Sequence, residues 1–129
     1  MSDRPPSKYP TEKIPDEDSL FRRYPENRAF DNGKPRPGAF SDKGIGMSSN
    51  WAKHTEASNC RGNPATCGVA QLAAAPMRQI RLEVRHTPRD DDQSHSDVIG
   101  EKDDETRLAL SEMADVIYKP IQRTEKRKK

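Results

Sequence analysis

The chain has 129 residues, 30% of them hydrophobic and 34% charged, which suits one domain with ragged ends and predicts a thin core. Its 23 basic and 21 acidic residues nearly cancel, so the chain lacks the high net charge that accompanies wholesale disorder. No apolar run approaches the roughly 20 residues of a membrane-spanning helix, and no membrane association is expected.

Residues 1–13 are polar, with Pro5, Pro6 and Pro10, and read as a disordered tail. The opening MSDRPPSKYP has none of the apolar stretch of a signal peptide, so the expected location is the cytoplasm. The domain is expected over residues 14–118. Leu20, Phe21 and Tyr24 predict a short first strand that Pro25 ends. Asn32-Gly33 supplies a tight turn, and Pro35 and Pro37 predict an extended segment before Ala39-Phe40 returns to the core. Gly44 to Ser48 reads as another short strand. Residues 50–67 read as a long polar connection with Trp51 as its largest anchor.

Gly68 to Ala73 is the best candidate for a buried segment, and Ala74 to Arg78 predicts one helical turn with Pro76 in its first position. Ile80, Leu82 and Val84 alternate with Arg81, Glu83 and Arg85, the pattern of a half-buried strand. Residues 86–97 read as a polar loop, with Val98-Ile99-Gly100 a short return strand. Leu110, Met113, Ala114 and Ile117 recur at helical spacing and predict a helix over 104–119, with Asp103, Asp104 and Glu105 at its start and Pro120 as its stop. The last segment, 119–129, carries six basic residues against one acid. The body is therefore mildly acidic, and any polyanion affinity belongs to this basic tail, where Lys126, Arg127, Lys128 and Lys129 are the candidate contacts. Together the pieces predict an α+β fold: a small, mostly antiparallel sheet packed by one C-terminal helix.

The segments IPDEDSLFRR, NGKPRPGAFS, MSSNW, GVAQLAAAPMR and SHSDVIG, taken in that order over residues 14–100, resemble a family of small uncharacterised bacterial proteins. The resemblance implies no activity. It marks CRGNPATC as a local elaboration.

Cys60 and Cys67 are too far apart in sequence for the usual close zinc pairing, and His54, His86 or His95 would have to complete such a site. Two free thiols are expected there, with no metal and no cofactor. Asp90-Asp91-Asp92 reads as a solvated acidic loop and lacks the alternating ligands of a calcium site. His95 can move a proton near neutral pH. Arg22 and Arg23 alternate across the first strand, so one can reach a cleft and fork two hydrogen bonds to phosphate. Ser48 can hydrogen-bond a ligand in the same cleft, and Trp51 either stacks on a base or plugs the core. Arg22, Arg23, Ser48 and His95 are thus the candidate catalytic group. Three readings follow: a non-catalytic accessory protein with a protein partner, a small metal-independent enzyme acting on a nucleotide or RNA, and weak nucleic-acid binding through the tail. The enzyme reading requires an arginine, Ser48 and His95 to share one pocket.

Overall fold

Leu20 and Tyr24 point to one side of the first strand and Phe21 to the other, and both sides find apolar cover. A computed structural model describes residues 8–40, 46–60, 62–63 and 66–120. The strand Ser19–Pro25 (β1) pairs with Met47–Trp51 (β2) and with Cys67–Ala73 (β3). Glu83–His86 (β4), His95–Ile99 (β5) and Asp115–Tyr118 (β6) complete an antiparallel six-stranded sheet of order β4-β5-β2-β1-β3-β6. Among the described residues three α-helices, Ala57–Cys60 (α1), Ala74–Gln79 (α2) and Asp104–Met113 (α3), make the fold α+β.

The main core lies on one side of the sheet. Leu20, Tyr24, Met47, Trp51, Leu72, Val84 and Val98 meet Met77 of α2, Leu110 of α3, Phe40 and Ile14. Pairing between β1 and β2 is registered only at Leu20↔Trp51 and Phe21↔Asn50. Beyond it the Arg22 guanidinium bonds the Ser48 carbonyl at 2.8 Å and the Ala39 carbonyl at 3.1 and 3.3 Å, so it satisfies backbone acceptors that the sheet leaves open. On the other side Phe21, Val69 and Cys60 form a small second cluster under α1.

Several elements differ from their sequence expectation. The predicted helix over 104–119 ends at Met113, because Ala114 turns to extended backbone and Asp115, Val116 and Tyr118 pair with β3, the register shifting around Ile117. β-Branched and aromatic side chains favour a strand once a free sheet edge supplies the backbone partners. Ile117, placed in the helical stripe by its spacing, is instead exposed on β6. The alternation from Ile80 makes a strand only from Glu83, since the chain is still leaving α2 and Arg81 has φ of 71°. Pro76 is the third residue of α2, not the first. After Pro35 the chain does not run extended but closes a 3-10 turn over Pro37–Phe40. Trp51 belongs to β2, not to the connection after it, and His95 opens β5 where a loop was expected. Of the predicted strand 44–48, Gly44 and Ile45 lie outside the described residues.

Within the expected N-terminal tail, Glu12 is fastened to the domain. Its amide donates to Nδ1 of buried His86 at 3.0 Å, and its carboxylate meets Lys53 at 2.6 Å and His54 at 2.9 Å. The Lys53 ammonium first, and His54 after it, hold the Glu12 carboxyl below the usual carboxylate range against the opposing effect of desolvation. No helix among the described residues is long and apolar enough to cross a membrane.

Candidate functional site

β2 and β5 pair in the register Ser48↔Asp97 and Asn50↔His95, which sets Ser48, Asn50, His95 and Asp97 on the side of the sheet away from the main core. There a cleft of about 570 Å³ opens, bounded by β1, β2, α1 and the loop that joins β4 to β5. Arg22, Arg23, Ser48 and His95 all line it.

His95 is only 7% exposed, and its ring is held from behind. Its Nδ1 lies 3.0 Å from the Thr87 carbonyl, which can only accept, so Nδ1 carries the proton. Thr87 Oγ1 gives its own proton to Asp97 Oδ2 at 3.0 Å and sits 3.1 Å from the same Nδ1. This network assigns the tautomer and leaves the Nε2 lone pair facing the Ser48 hydroxyl at 3.4 Å. The approach is longer than a tight hydrogen bond. Chemically the pair can take the Ser48 proton onto His95 and return it to a departing group.

The cations divide by occupation. Arg22 is committed to backbone carbonyls and positions the Ser48 strand. The Arg23 side chain is exposed and has no hydrogen-bond or ion-pair partner among the described residues. Gly62 leaves it room: a Cβ there would lie 2.8 Å from the Arg23 guanidinium, and φ of +67° suits glycine. Asp92 turns inward, accepting from Asn50 Nδ2 at 2.9 Å and from Ser94 Oγ at 2.6 Å, so it braces the loop and is not a free base. Cys60 is buried in the wall. Burial pushes its thiol above the ordinary value, Asp92 adds to this, and Thr55 and Arg23 oppose it, so the sulfur is a poor nucleophile.

The remaining candidates fall elsewhere. Trp51 is 1% exposed on the opposite side, donates its indole N–H to Asp18 at 2.9 Å, and plugs the core; it offers no stacking face to the cleft. His54 and His86 stack on each other at 5.6 Å beside Trp51, away from Cys60 and Cys67, which are both free. Among the described residues no group of three His, Cys, Asp or Glu side chains is arranged to hold a metal ion. Lys126, Arg127, Lys128 and Lys129 lie outside the described residues.

Sequence reasoning missed Asn50, Thr87, Arg89, Asp92 and Asp97. The signal for one of them was present: Asp97 alternates with His95 as strand residues do, but only with 95–99 taken as one strand does the spacing place both on one side. Arg89 carried no signal, since a loop arginine beside three aspartates reads as surface charge. Set against known proteins, the chain matches no family model, no curated protein and no solved structure.

Proposed function

We propose that the protein is a small enzyme acting on a phosphate-bearing substrate of the nucleotide or RNA kind, with His95 moving the proton and Arg23 holding the phosphate. The observation that carries this reading is the oriented His95 Nε2 facing the Ser48 hydroxyl in a cleft whose Arg23 guanidinium is unspent. A guanidinium with free N–H donors matches phosphate oxygens in a bidentate fork. The proton-transfer pair and the anion site stand side by side, as attack on a phosphate ester requires.

The test is turnover of nucleoside phosphates and short RNA strands, read by chromatography of the products. His95→Ala should lower turnover by about 10²-fold or more, in line with the usual contribution of a positioned acid–base group. Its far-UV circular dichroism should match the parent protein. Turnover that survives the substitution would sink the proposal, as would a failure of every such compound to be turned over.

A second reading, an accessory protein with a protein partner, draws on one observation. β6 is an edge strand, and its Ile117 is 42% exposed. Such an edge can accept a further strand. Tail-mediated polyanion binding rests on the composition of residues 119–129 alone.

A further inference from the structure

Arg89 stands in the loop between β4 and β5 and lines the cleft from the side opposite Arg23. In the strand order β4-β5-β2-β1, the strands carrying Ser48 and His95 lie between the strand of Arg23 and the loop of Arg89. Like Arg23, Arg89 has no side-chain hydrogen bond or ion pair among the described residues. Its backbone is nonetheless fixed: Arg89 N–H donates to the Asp92 carbonyl and Asp92 N–H to the Arg89 carbonyl, both at 3.0 Å. Of the two acids that line the cleft among the described residues, Asp92 spends its oxygens on Asn50 and Ser94, and Asp91 is exposed on the loop with no side-chain ion pair to Arg89.

We propose that the substrate class of this site is a diphosphate, with one phosphoryl group on Arg23 and the other on Arg89; this rests on the phosphate-site reading above. A phosphodiester has two non-bridging oxygens, enough for one bidentate pair, and would leave the other of these two guanidinium groups without one. A diphosphate brings at least one charge for each, with oxygens enough for two bidentate pairs. The cleft wall is polar and charged, and among the described residues no Phe, Tyr or Trp side chain lines it to serve as a stacking platform for a base. Recognition therefore runs through the phosphates. A nucleoside diphosphate binds whatever its base, and inorganic pyrophosphate suffices as a probe.

The experiment is calorimetric titration of the full chain at neutral pH with inorganic pyrophosphate and with orthophosphate. Pyrophosphate should bind about tenfold or more tightly than orthophosphate, because it gains a second set of charge-assisted hydrogen bonds. Arg89→Ala should erase most of that advantage and leave orthophosphate affinity within about threefold, while Arg23→Ala weakens both anions. Arg89 is exposed on a loop, so its loss leaves the core untouched, and circular dichroism of the variant checks this. Equal affinity for the two anions, or indifference of pyrophosphate binding to Arg89→Ala, overturns the diphosphate inference; the phosphate site then stands on its Arg23 dependence. If neither anion binds, both readings fall together.

Discussion

The Tyr24 hydroxyl donates a 2.6 Å hydrogen bond to the Gly33 carbonyl and ties β1 to the Asn32-Gly33 turn. The side chain is fully buried, and burial raises the phenol pKa to about 12. A phenol whose folded pKa lies above its unfolded value near 10 favours the neutral form on folding. Its contribution is complete below about pH 10 and is lost as pH rises from there through about 12. Tyr24→Phe should therefore lower stability at neutral pH by about 1 kcal/mol, leaving the Gly33 carbonyl without this donor. Urea denaturation at pH 7 and pH 11 measures both effects, and the difference between parent and variant should shrink at the higher pH. Ser48 and His95 show the opposite balance between residue and surroundings. Neither is special as a residue type. Thr87 and Asp97 behind the ring decide which nitrogen is protonated, and Arg22 holds the backbone that carries the hydroxyl.

Among the elements, α3 and β6 divide a stretch whose spacing predicts one helix. The start of that helix was legible: Asp103 caps it by accepting the Thr106 amide at 2.9 Å, and this bond holds its carboxyl below the usual range. Its end was not, because Leu110, Met113, Ala114 and Ile117 fit helical spacing while Val116, Ile117 and Tyr118 also suit a strand. The free edge of β3 settles the choice, and no local rule can see that edge. Burial then separates residues that the stripe treats alike. Leu110 is fully buried and Leu108 is 49% exposed. Leu110→Ala should cost about 2–5 kcal/mol, whereas Leu108→Ala should stay within about 0.5 kcal/mol. Urea midpoints of the two variants at equal slope check this, and similar losses would mean that α3 packs by its whole stripe. β5 teaches the same lesson at the site: reading 86–97 as loop hid the alternation of His95 and Asp97.

Across the whole molecule one sheet carries two unlike sides. The main core, with Trp51 at 1% exposure, covers one, and the polar cleft occupies the other beside the small cluster of Phe21, Val69 and Cys60. Because both sides hang on the same six strands, the cleft cannot lose its geometry without the core losing its backing. Trp51 fluorescence and far-UV circular dichroism should accordingly report coincident urea transitions. Separate midpoints would show that the sheet does not unfold as one unit. Glu12 belongs to this scale too, since it fastens an N-terminal segment across β4 and the turn after β2, through His86, His54 and Lys53.

The sequence by itself determined the α+β class, the first strand, the best buried segment and the start of the last helix. These follow from local alternation, helical spacing and capping chemistry, which act between residues a few positions apart. It also singled out Arg22, Arg23, Ser48 and His95, on the chemistry of their side chains alone. Only the tertiary structure decided that the four line one cleft, that Arg22 is spent on backbone while Arg23 is not, and that Arg89 joins them. Those outcomes depend on the pairing of β2 with β5 and of β1 with β2. Both are contacts between segments far apart in the chain, where burial and backbone hydrogen bonding outweigh local preference.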